Sequence, residues 1–129
     1  MELEFKNLSK KEYDVTHIAP ISLKLKPGIF NTILGPTLSG KTTLLRLMAG
    51  LDKPTSGEIW HKEINVTNLP VQKRNVAMVY QQFINYPTMT VFENIASPLR
   101  VKKITEKEIK SRVNKVADLL KISPLLKRK

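Results

Sequence analysis

Gly35, Gly40, Lys41 and Thr42 stand at the spacing G-x-x-x-x-G-K-S/T, with Pro36, Thr37, Leu38 and Ser39 between the glycines. These residue types in this order can hold a polyphosphate. Two glycines let the backbone curl until successive N–H groups face an anion. The lysine after the second glycine reaches the outer phosphates, and the neighbouring hydroxyl can take a magnesium ion. The pattern also arises by chance at loop boundaries, so its meaning depends on a strand that enters the loop and a helix that leaves it.

Both are expected here. Ile29–Leu34 is a short apolar run introduced by the Pro27-Gly28 turn and reads as the entering strand. Thr42–Ala49 carries apolar residues at Leu44, Leu47 and Met48 and reads as the leaving helix, stopped by Gly50 with Pro54 beyond it. Such a helix would place its positive N-terminal end at the phosphates. Upstream, Leu3 and Phe5 alternate with charged residues, as do Ile21, Leu23 and Leu25, which predicts two half-buried antiparallel strands. Glu58–His61 follows the Ser56-Gly57 turn, and Glu63–Val66 extends it into a hairpin. The continuous apolar run Val76–Tyr80 reads as a strand covered on both faces and as the parallel partner of Ile29–Leu34.

Beyond residue 88 the pattern becomes helical. Thr90-Val91-Phe92-Glu93 is a capping-box sequence that opens a short helix limited by Pro98. Thr105-Glu106-Lys107-Glu108 opens another, near 106–121, with Ile109, Val113, Val116 and Leu120 on its packing face. Ser123-Pro124 marks one more helical start.

Composition narrows the setting. The 129 residues make one domain or part of one. No cysteine is present, which removes disulfides and cysteine-based zinc sites. No apolar run reaches the ~18 residues of a membrane span, and the acidic start Met1–Phe5 is unlike a signal peptide. Of the net charge of +11, +7 falls on residues 101–129, where ten Lys/Arg face three acids. A solvated helix face accounts for that charge. Nucleic-acid surfaces interleave aromatics with basic residues, and no aromatic follows Phe92.

Taken together, several segments resemble the ATP-binding subunit of an ABC transporter. They are Gly35–Arg46, Ala49-Gly50-Leu51, Pro54–Ile59, Arg74–Gln81 and Tyr86–Asn94, in an order and spacing that match across nearly the whole chain. The stretch Tyr86-Pro87-Thr88-Met89-Thr90-Val91-Phe92-Glu93-Asn94 further resembles importers of sugars, polyols and glycerol phosphates. The resemblance implies an α/β fold with a P-loop NTPase-type sheet and an antiparallel β subdomain. It also implies ATP and Mg2+ as ligands, bound by Gly35, Pro36, Thr37, Leu38, Ser39, Gly40, Lys41, Thr42 and Thr43. Thr42 and Gln81 would hold magnesium, and Lys41 and Gln81 would serve catalysis. Tyr13 is the aromatic nearest the adenine-stacking position, although Glu12 takes the slot itself. The bland alternatives are a loop aromatic for Tyr13 and a polar strand end for Gln81. Partners would be permease subunits, received by residues 83–99, and a second ATPase subunit. The setting would be cytoplasmic, peripheral on the inner face of the cell membrane.

This sequence departs from the family pattern in two ways. Leu38 stands where most members have glycine. In addition, the signature segment Leu-Ser-Gly-Gly-Gln, the magnesium-holding aspartate with its following glutamate, and the switch histidine find no match. All five glycines lie at or before Gly57, the aspartates are Asp14, Asp52 and Asp118, and no histidine follows His61. Residues 1–129 thus read as a partial ABC-type nucleotide-binding domain that binds ATP without turning it over efficiently. A different P-loop protein and a non-catalytic remnant are the alternatives. A GTPase would need Asn-Lys-x-Asp, and Asn114-Lys115-Val116-Ala117 fails at its last position.

Overall fold

The computed structural model describes residues 2–129, which form two compact units, 2–79 and 80–129.

The first unit is built on a four-stranded antiparallel sheet of order β2-β1-β3-β4, from β1 (Leu3–Glu12), β2 (Val15–Leu25), β3 (Ser56–His61) and β4 (Ile64–Asn65). As the alternation predicts, Leu3 pairs with Leu25 and Phe5 with Leu23. The register then shifts between Phe5 and Leu8 at a bulge where Asn7 takes φ 48°. The extra residue resets the period of two, so Leu8 joins Leu3 and Phe5 on the buried face. β3 runs so close to this bulge that a Cβ on Gly57 would lie 2.2 Å from the Asn7 carbonyl oxygen. Only glycine fits there.

α1 (Lys41–Ala49) lays Leu44 and Leu47 onto Leu3, Phe5, Leu8, Ile59 and Val66, which forms the core of this unit. Gly50 ends the helix as expected. At φ 78° it forms a Schellman turn, with Leu51 N–H donating to the Arg46 carbonyl at 3.0 Å and Gly50 N–H to that of Leu47 at 3.1 Å.

One expectation is corrected. Ile29–Leu34 and Val76–Tyr80 do not form the expected parallel strand pair: neither run carries a ladder. Phe30, Leu34 and Val79 stand almost fully exposed. Parallel strands are stable inside sheets covered on both faces. Two runs and one helix supply neither the neighbouring strands nor the second layer. Instead, residues of both runs line an apolar groove of about 440 Å3 with Leu25, Leu45 and Met48.

The second unit is helical: α2 (Val91–Val101), α3 (Glu106–Leu119) and a final 3-10 turn at Ser123–Leu125. The capping box at Thr90 is complete, with Glu93 N–H donating to Thr90 Oγ1 at 3.2 Å and Thr90 N–H to Glu93 Oε2 at 2.7 Å. The next donors are satisfied too, as Val91 and Phe92 N–H meet the carbonyls of Arg128 and Leu126. Pro98 does not limit α2, which runs on to Val101. Proline removes one N–H but its φ suits the helix, and the contacts of Ala96, Ile95 and Leu99 with α3 hold the axis past it.

The packing face of α3 is also corrected. Ile109, Val113 and Ala117 are buried, while Val116 and Leu120 are exposed. With α2 as its chief packing partner, α3 buries a narrow i, i+4, i+8 row, and the wider amphipathic stripe stays in solvent. Among the described residues no helix is long and apolar enough to cross a membrane.

Candidate functional site

The loop from Gly35 to Gly40 leads into the N-terminus of α1, and its shape follows from local rules. Ser39 N–H donates to the Pro36 carbonyl at 3.3 Å, closing a turn over Thr37 and Leu38. Gly40 takes φ 84° and presses against β2: an added Cβ would lie 2.7 Å from the His17 carbonyl oxygen. The second glycine of the motif is therefore required both by its dihedral and by its neighbour. Gly35 is crowded from the other side by Ser39 Oγ.

Gly40 caps α1 without a side chain, and no acidic residue lies in the first turn. The N-terminus of this helix is therefore open, in contrast to α2, whose first N–H donors are met by Thr90 and by the carbonyls of Leu126 and Arg128. The free N–H groups and the helix dipole favour an anion. The Lys41 side chain folds back over the loop, with Nζ donating to the Gly35 carbonyl at 2.9 Å, to the Pro36 carbonyl, and weakly to Ser39 Oγ at 3.4 Å. An ammonium group thus stands over the loop with only neutral oxygens for partners. A phosphate oxygen would be a better acceptor than any of them. Thr42 sits exposed in the first turn.

The structure brings Gly35, Pro36, Ser39 and Lys41 together through these bonds. Tyr13 stands fully exposed at the tip of the β1–β2 hairpin, in left-handed conformation at φ 52°. Gln81 belongs to the second unit, in an exposed bend. Phe83 and Tyr86 are exposed there as well, while Phe92 packs against Ala96, Ile109 and Val113.

Arg74 and Asn94 each hold their own unit together, and although both lie in segments that carry the resemblance, nothing in the sequence pattern indicates the bonds they make. Arg74 donates to four carbonyls: Leu69 at 2.9 Å, Thr67 at 3.0 Å, Met48 at 3.2 Å and Leu47 at 3.3 Å. It neutralises the negative C-terminal end of α1 and ties it to the 67–69 loop. Burial pulls its guanidinium below the usual range. Asn94 does the equivalent in the second unit. Its side-chain oxygen accepts from Tyr86 N–H at 2.7 Å, and its amide donates to the carbonyls of Tyr86 and Thr90.

The ABC transporter family matches residues 18–129. The chain is 43% identical to the spermidine/putrescine import ATP-binding protein of Thermotoga maritima, over 94% of this chain and 33% of that protein. It is also 43% identical to the trehalose/maltose import ATP-binding protein of Thermococcus litoralis, over 90% of this chain and 33% of that one. It therefore spans about a third of the length of these relatives. A solved dimeric ATP-binding cassette, in a post-hydrolysis state bound to ADP and Pi, superposes with a TM-score of 0.87 at 28% identity, covering 98% of this chain and 61% of that one. The fold is thus that of ATP-binding cassettes, and the chain belongs to the ABC transporter family, alongside its import ATP-binding proteins.

Proposed function

We propose that this chain binds Mg-ATP on residues 35–43, as part of an ABC importer ATPase that couples hydrolysis to solute uptake. The observation that carries this reading is the open N-terminus of α1 beneath a loop whose lysine has only neutral oxygens for partners. N–H groups from Gly35 to Thr43 cradle the phosphates, and Lys41 exchanges its loop carbonyls for the β- and γ-phosphate oxygens. Thr42 and Gln81 hold magnesium, and the Tyr13 face, free at its hairpin tip, stacks on adenine. Gln81, a neutral amide whose NH2 can donate to water while its carbonyl oxygen faces a cation, orients the attacking water in the assembled ATPase.

The partners are permease subunits, which meet residues 83–99, and a second ATPase subunit. The exposed Phe83 and Tyr86 suit the first contact. The solute is a sugar, polyol or glycerol phosphate, supported by the Tyr86–Asn94 stretch. The trehalose/maltose relative agrees with that class and the spermidine/putrescine relative lies outside it, both at the same identity. Calorimetric titration of the folded chain with Mg-ATP tests the site. Lys41→Ala removes a charge-assisted contact and weakens binding by about 1.5–3 kcal/mol. An affinity equal to that of the parent chain would refute the assignment, and GTP binding tighter than ATP would favour a different P-loop protein.

A further inference from the structure

The geometry points to Leu38 as a positioning residue that limits how tightly this chain holds a nucleotide, an inference that rests on reading residues 35–43 as the nucleotide site. Leu38 has φ 65°, in the left-handed region. It is the third residue of the turn closed by the Ser39 N–H to Pro36 carbonyl bond, where positive φ makes glycine the favoured residue. Among the described residues, the other non-glycine positions at positive φ are Asn7, Tyr13, Lys62, Asn75, Lys103 and Lys121, so Leu38 is the only aliphatic one. No packing compensates for it, because its side chain is 98% exposed.

Leucine in this conformation brings its Cβ against the following carbonyl oxygen. Loop shapes with Leu38 at negative φ therefore compete with the one described. Such shapes turn the peptide after residue 38. That breaks the Ser39 bond to Pro36 and disturbs the two carbonyls, Gly35 and Pro36, on which Lys41 rests. Only the strained shape presents the curled N–H groups to an anion. Apparent affinity then falls in proportion to the fraction of time the loop holds that shape.

Three substitutions in the full 129-residue chain separate backbone strain from side-chain bulk. Leu38→Gly removes both, Leu38→Asn keeps bulk but tolerates left-handed φ, and Leu38→Ala removes bulk while keeping strain. Glycine also makes the loop more flexible, which returns part of the gain. Titrated with Mg-ATP, Leu38→Gly should bind about two- to ten-fold tighter than the parent, Leu38→Asn by a smaller factor, and Leu38→Ala the same as the parent. Hydrogen exchange of the Ser39 amide, measured without nucleotide, should slow in the Gly and Asn variants and not in Ala. If Ala tightens binding as much as Gly, bulk rather than backbone is responsible and the inference is overturned. Unchanged Ser39 exchange in Leu38→Gly overturns it as well. Lys41→Ala run alongside keeps the two ideas apart. If that variant binds as tightly as the parent, the site assignment fails, while Ser39 exchange still decides the role of Leu38.

Discussion

Asp52 shows how a single carboxylate ties the phosphate-loop helix to the rest of its unit. Arg46, in the last turn of α1, donates to it twice, from Nε at 2.7 Å and from Nη2 at 2.8 Å. The fork matches the carboxylate and fixes the chain just past the Gly50 turn. Arg46 hydrogen bonding holds the Asp52 carboxyl below its usual range, outweighing a partial desolvation that acts the other way. A depressed carboxylate stabilises the folded state above its unfolded pKa of about 4, and that contribution is lost as pH falls through the lower folded value. Asp52→Asn should therefore cost about 0.5–2 kcal/mol at neutral pH. The gap to the parent should close in strong acid, where both chains lack the charge. Urea denaturation at pH 7 and pH 2.5 reads both. An equal gap at the two pH values would mean that the charge is not what matters.

The ends of the helices separate what was legible in the sequence from what was not. The Thr90-x-x-Glu93 box, the Thr105 cap and the Gly50 stop are local rules written in three or four consecutive residues, and each appears where expected. Thr90→Ala should destabilise the second unit by about 1 kcal/mol, because Glu93 N–H loses its acceptor. Thermal unfolding followed by the helical signal checks this, and no shift would mean that the Leu126 and Arg128 carbonyls suffice to close α2. The phosphate loop and its helix were equally legible, since the motif specifies glycine dihedrals and a helix start within eight residues. Less legible was whatever depends on distant partners. Ile29–Leu34 and Val76–Tyr80 have strand composition but no ladder. Hydrogen bonding in a sheet is decided by which backbone lies about 4.8 Å away, not by the run itself. Val116 and Leu120 fit the amphipathic period, yet their exposure follows from how little packs on α3. Arg74 opens a segment that carries the resemblance, yet its four carbonyl partners lie up to 27 positions away, and no local pattern specifies those bonds.

An open phosphate loop does not by itself make a working ATPase. Phosphoryl transfer needs positioned water, neutralised γ-phosphate charge and a held metal ion. In the proposed reading, the loop, Lys41, Thr42 and Gln81 serve those needs. This sequence lacks consecutive glycines for a signature segment, an aspartate–glutamate pair after an apolar strand, and a histidine beyond His61. Each missing electrostatic stabiliser typically lowers the rate by about 10²–10³, so several together should reduce turnover to background while leaving binding intact. The purified 129-residue chain should accordingly bind Mg-ATP and hydrolyse it no faster than its Lys41→Ala variant. The apolar groove of the first unit, with Phe30, Leu34 and Val79 exposed beside it, should also bind a hydrophobic dye. Phosphate release measured over hours, with the Lys41→Ala chain as the blank, gives the answer. Magnesium-dependent hydrolysis well above that blank would show that residues 1–129 already hold a complete catalytic set.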